Sequence, residues 1–276
     1  MEKYQIPSGT TRVSWTMKYR LFKVQSLTIS CPTHLGYQDL EIVRRLLTNN
    51  TSLRRLDLEK LYLGSPDGQN AVSRLIDVLP ATVEEVSLRQ TLVGPQIIKK
   101  LLQKHGLRLR KLDLSYTNMT DSTLEDIGIY CCDVLGSLET LLMDCAFCLS
   151  KEAIHRFLVT QCPTTIRNLS FTFAYNLEPN WLISFINRQQ HYNRLDTMDT
   201  MTAPYSSCLQ LINVQGSDLF TIKDINKISN LVQGKCTIRH TAILEDETIE
   251  GYKKLLDKLC NGLDYKGEPL IPEEIS

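Results

Sequence analysis

The sequence carries no surplus of charge: 31 basic residues balance 31 acidic ones over 276 residues, for a formal net charge of zero. A basic footprint for nucleic acid or an anionic membrane surface is missing, so no nucleic-acid partner is expected. No apolar run reaches the roughly 18 residues that a membrane-spanning helix needs, and Met1 to Arg20 lack the apolar core of a secretory signal. Lys3, Arg12, Lys18 and Arg20 against Glu2 would also suit a mitochondrial targeting segment, but Val13, Trp15 and Met17 alternate as in a capping strand. The nine cysteines are odd in number and irregularly spaced, which does not fit a secreted disulfide framework. A reducing compartment, cytoplasmic or nuclear ahead of mitochondrial, is the expectation.

Motifs that carry chemistry are equally scarce. There is no G-x-x-x-x-G-K-[ST] loop, no G-x-G-x-x-G turn and no G-x-S-x-G elbow. The five histidines, at 34, 105, 155, 191 and 240, are scattered, and His155 reads as a surface or half-buried helix residue. Cys145-Ala-Phe-Cys148 is a lone C-x-x-C, whereas a zinc site needs a second pair or histidines at suitable spacing. No catalytic residue, metal or cofactor is expected, and no enzyme activity.

What the sequence does contain is a repeat. Leu53-Arg-Arg-Leu56-Asp-Leu58 recurs as Val83-Glu-Glu-Val86-Ser-Leu88, Leu109-Arg-Lys-Leu112-Asp-Leu114, Leu138-Glu-Thr-Leu141-Leu-Met143 and Ile166-Arg-Asn-Leu169-Ser-Phe171. Val24-Gln-Ser-Leu27-Thr-Ile29 fits upstream, Leu209-Gln-Leu-Ile212-Asn-Val214 fits downstream, and Ile238-Arg-His-Thr241-Ala-Ile243 fits weakly. Successive starts lie 29, 30, 26, 29, 28, 43 and 29 residues apart. The long interval places a degenerate repeat or an inserted loop at 187–208. Each unit is followed by residues at helical spacing, predicting helices at Asp39–Leu47, Ala71–Leu79, Pro95–Lys104, Lys151–Thr160, Pro179–Asn187, Lys223–Val232 and Thr248–Leu259. A further helix is expected from Ser122, whose spacing to Glu125 is that of a capping box.

A strand and a helix this short cannot bury their shared apolar face alone, but stacking identical units buries it continuously. Helices about 10 Å wide on one side and strands about 4.8 Å apart on the other force the stack to curve. The expected fold is therefore an α/β solenoid, a horseshoe with parallel strands on the concave face and helices on the convex face. It spans 24–260, with a cap segment at 1–23 and a tail at 261–276. In this frame Cys148 coincides with Met119 and Val93, and a buried position is expected for it.

These units resemble the leucine-rich-repeat superfamily, and the 28–29-residue lengths are similar to those of ribonuclease inhibitor and the Ran GTPase-activating proteins. The stretch Leu109–Leu124, with Met119-Thr120-Asp121 where the usual pattern has Ile-Thr-Asp, is similar to the cysteine-containing repeats of F-box proteins. The resemblance implies protein recognition, with cullin-type ubiquitin ligase components among the partners. Met1 to Lys23 is shorter than an F-box and lacks its Leu-Pro motif, which leaves a piece of such a protein or a stand-alone adaptor. The alternatives are a structural subunit or assembly factor with one permanent partner, and a small-GTPase regulator.

Strand alternation sends the leucines inward and the third, fifth and seventh residues of each unit to the concave face. The expected contact residues there are Arg55, Asp57, Arg89, Lys111, Asp113, Leu142 and Asp144, joined by Tyr116 and Phe173 at the eighth position. Two readings stay open: the charges form a cross-strand ladder among themselves, and the eighth-position residues either make an exposed hot spot or fold under the loop.

Overall fold

The computed structural model describes residues 3–5, 24–29, 37–131, 136–196, 208–217, 219–233 and 235–241. Among these residues, nine strands form one parallel sheet in sequence order: β1 (Lys3–Gln5), β2 (Ser26–Thr28), β3 (Arg55–Asp57), β4 (Glu85–Ser87), β5 (Lys111–Asp113), β6 (Thr140–Leu142), β7 (Asn168–Ser170), β8 (Leu211–Val214) and β9 (Thr237–His240). Between them run α1 (Tyr37–Leu47), α2 (Pro66–Val78), α3 (Pro95–His105), α4 (Asp121–Cys131), α5 (Lys151–Arg156), α6 (Pro179–Asp196) and α7 (Ile222–Leu231). This is the expected α/β solenoid.

The repeat explains the core. From the unit at Val24 to the unit at Leu209, the first, fourth and sixth residues are all at most 2% exposed. Each such side chain contributes about 1.5–3 kcal/mol through burial. Register follows the motif, with Leu56 opposite Val86, then Leu112, Leu141, Leu169 and Ile212.

The turns before β4, β6, β7 and β8 are closed by a recurring polar contact. Thr82 Oγ1 donates to the Leu53 carbonyl at 2.8 Å, and Thr165 Oγ1 to that of Leu138 at 2.7 Å. Ser137 Oγ reaches the Leu109 carbonyl at 3.4 Å, and Cys208 Sγ takes the same role on Ile166 at 3.3 Å. Each time, the residue preceding one unit donates to the first carbonyl of the unit before, in keeping with the need of buried backbone carbonyls for donors.

Besides an earlier start of α2, at Pro66 rather than Ala71, four features differ from the sequence expectation. First, Ile238 pairs with Ile212, so the last unit starts at Lys235, three residues before the weak match at Ile238. Second, α6 does not stop at Asn187 but continues to Asp196, into the stretch assigned to the insert. Polar contacts dock the first part of this extension. Gln189 is buried and donates to the carbonyls of Thr164 (2.9 Å) and Ile166 (2.7 Å), and Gln190 donates to that of Leu231 at 2.7 Å. Third, α4 begins at Asp121, which puts Ser122 inside the helix rather than at its cap. Glu125 turns outward to Arg156, and the capping box forms at Thr221 and Asp224 instead. Fourth, strand pairing in the cap segment is made by Lys3–Gln5. The predicted strand at Val13–Met17, residues 197–207, the helix at Thr248–Leu259 and the tail at 261–276 lie outside the described residues.

Candidate functional site

The concave face is built by strand ends that bend in a common way. After β3 and β5 the fifth residue of the unit turns back on the chain: Asp57 Oδ1 accepts from the Glu59 amide at 3.1 Å, and Asp113 Oδ1 from the Ser115 amide at 3.0 Å. The eighth residue then adopts a left-handed conformation in six successive units, at Lys60, Gln90, Tyr116, Cys145, Phe173 and Gly216, with φ between 55° and 71°. That bend sends the ninth residue inward, where Thr91 Oγ1 and Thr117 Oγ1 each donate at 2.6 Å to the carbonyl three residues back. The eighth side chain is left at the rim of the sheet.

Arg89 holds the centre. Its Nη1 lies 3.5 Å from Asp144 Oδ2, its Nε lies 3.7 Å from Glu59 Oε1, and its guanidinium sits 4.9 Å from the centre of the Tyr116 ring. One side chain thus ties together the ends of β3, β5 and β6. Asp144 is fixed from below by the Ser170 hydroxyl at 2.5 Å and the Thr172 amide at 3.1 Å. Burial pushes the Asp113 carboxyl above its ordinary range, and the nearby Asp144 adds to this, while Ser115 and Arg89 oppose it. A hydrogen bond with Cys145 raises the Tyr116 phenol, which is half-buried beneath Arg89.

The structure brings Arg89, Asp113, Tyr116 and Asp144 into one cluster. It keeps the other expected residues apart. Arg55 lies 3.7 Å from Glu85, and the neighbouring second positions pair as Arg54–Glu84 (3.1 Å) and Arg110–Glu139 (2.8 Å). These are the cross-strand ladder that the charge pattern allowed. Lys111, half-buried, stands beside Glu85 in the register. Leu142 is half-buried on β6.

The eighth position splits between the two readings left open for it. Cys145 is buried, whereas Phe173 is 43% exposed and lies over Gly216, where a methyl group would meet its ring at 2.4 Å. Cys148 corrects the expectation of a buried thiol: it is exposed. The fifth unit has one more residue in its turn than the third, so Leu149, not Cys148, fills the pocket that Val93 fills there. The described residues hold no group of three His, Cys, Asp or Glu side chains placed to bind a metal.

Sequence reasoning missed the rim aromatics. Phe147 and Tyr175 are 60% and 53% exposed and stack with ring centres 5.9 Å apart. Both occupy the tenth position of their units, as do the exposed Tyr62 and Leu92. That recurrence was the available signal, but the tenth position is two residues past the eighth, where strand alternation has ended and no longer says which way a side chain faces. His155 is exposed, as expected, and its ring lies 5.2 Å from that of Trp181.

The fold is that of the leucine-rich-repeat solenoids. The structure is similar to that of the leucine-rich-repeat-containing protein LegL7 from Legionella pneumophila, with a TM-score of 0.54 and 13% identity over 92% of this chain and 78% of that one. A looser likeness, with a TM-score of 0.43 and 13% identity over 80% of this chain and 67% of that one, is to a structure of the Rad7 and Elc1 complex in yeast. No protein-family model matches the sequence. No curated protein matches it either.

Proposed function

We propose that this chain is a non-enzymatic adaptor that binds another protein on its concave face. The observation that carries this reading is the prebuilt cluster of Arg89, Tyr116 and Asp144, flanked by Leu142 and Phe173, on an open sheet. Arginine and aromatic side chains held rigidly at the centre of a surface are the groups that dominate protein interfaces. Holding Arg89 on three partners before binding removes much of the ordering cost of association. The finer form of the proposal, drawn from the repeat subtype, is that the captured protein is a substrate handed to a ubiquitin ligase.

The test is affinity capture with the full chain as bait, quantified by mass spectrometry. Arg89→Ala, Leu142→Ala and Phe173→Ala, each folded by circular dichroism, are expected to reduce recovery of the captured partner by about tenfold or more. Unchanged recovery with all three would reject the concave face. Cullin-ligase components alongside the partner support the finer form. A single stoichiometric partner without them points to a structural subunit instead.

A further inference from the structure

The concave face is electrically divided along its length. On β3 to β6 and the residues just after them, the second, third, fifth and seventh positions carry five cations (Arg54, Arg55, Arg89, Arg110, Lys111) and seven acids (Asp57, Glu59, Glu84, Glu85, Asp113, Glu139, Asp144). The surplus there is acidic, and most of the charge is already spent in pairs. On β7 to β9 the same positions carry Arg167 and Arg239 and no acid among the described residues. Both arginines are exposed and neither has an ion-pair partner among the described residues. Arg167 ends the alternating ladder of Arg54, Glu84, Arg110 and Glu139, and the next second-position residue is the neutral Gln210.

The ground between the two arginines is not charged. It presents the half-buried Leu211 and the amides Asn168 and Asn213, with Leu142 and Phe173 at its edge. An exposed guanidinium that no carboxylate among the described residues satisfies is available for bidentate pairing with one from a partner. A like-charged segment laid over the same strands would meet uncompensated repulsion.

We infer that β7 to β9 receive an acidic segment of the protein partner, with carboxylates on Arg167 and Arg239 and a large apolar side chain against Leu211. This rests on the concave-face reading above. It adds the partner's local chemistry and its direction: the acidic stretch lies toward the C-terminal repeats, because the N-terminal repeats carry their own acid surplus.

The experiment selects random phage-displayed peptides on the full chain and measures the enriched peptides, fluorescein-labelled, by anisotropy. The expected class combines several Asp or Glu residues with a Leu, Phe or Trp. Its affinity is expected to fall about tenfold in Arg167→Glu/Arg239→Glu and in the milder Arg167→Gln/Arg239→Gln, and to weaken with added salt. Arg54→Glu, at the paired end of the ladder, is expected to change it by less than about threefold. Failure to enrich an acidic class overturns the inference, as does binding indifferent to both double variants when their circular dichroism is unchanged. Peptides that lose binding on Leu142→Arg but ignore the arginines leave the concave-face reading standing and sink only this inference. Peptides indifferent to Leu142→Arg and to the arginines alike sink both.

Discussion

His105 occupies a core position at the end of α3, 2% exposed, and neither of its ring nitrogens has a hydrogen-bond partner among the described residues. Burial, aided by Lys104 and Arg108, lowers its pKa from 6.5 to about 4. The unfolded chain therefore binds a proton below pH 6.5 that the folded one refuses. The stability this represents is full above pH 6.5 and is lost as the pH falls toward 4, to the extent of about 3 kcal/mol. His105→Leu, which removes two unsatisfied polar atoms at similar volume, is expected to raise stability by about 1–3 kcal/mol. It should also flatten that part of the pH profile, and urea denaturation of both proteins at pH 4.5 and 7 measures it. An equal pH slope in the two proteins would place the proton uptake elsewhere.

At the scale of the element, α6 shows how polar groups can extend a helix past the end of its apolar stripe. Gln189 docks the extension by reaching the carbonyls of two residues before β7, and Arg188 donates to those of Leu158, Thr160 and Cys162. Gln189→Ala leaves the carbonyls of Thr164 and Ile166 only the weak Cys208 Sγ contacts at 3.4 and 3.3 Å and is expected to cost about 1–2 kcal/mol. Amide exchange should rise first at the C-terminal end of α6; uniform exchange across the chain would contradict local docking. This also marks where the sequence stops being legible. The periodic leucines show each strand because burial selects for them directly, and from Val24 to Val214 none was misplaced. The end of α6 was illegible because amides and a guanidinium reaching back to carbonyls leave no period. The last strand was placed three residues late because His240, Thr241 and Ile243 blur the pattern at the point where only one neighbour remains to be packed. In the site, the individual charges could be read, but not that Arg89 would reach past β5 to Asp144, since that depends on side-chain length across curved strands.

Over the whole molecule, the buried residues form one continuous cluster from Val24 to Val232. Each unit leans only on its neighbours, so damage in the middle is felt on both sides. Leu141→Ala, at a fully buried site on β6, is expected to cost about 2–5 kcal/mol. Differential denaturation with and without it is the check, and a loss under about 1 kcal/mol would mean the central units are not packed as described.

The extra residue in the turn of the fifth unit, which put Cys148 outside and Leu149 inside, has a practical bearing on engineering. The left-handed bend at Cys145 resets the chain before that residue is reached, so added length there leaves the strand register untouched. The peptide link between Phe147 and Cys148 is therefore the natural seam at which to splice a reporter loop or a purification epitope into this scaffold.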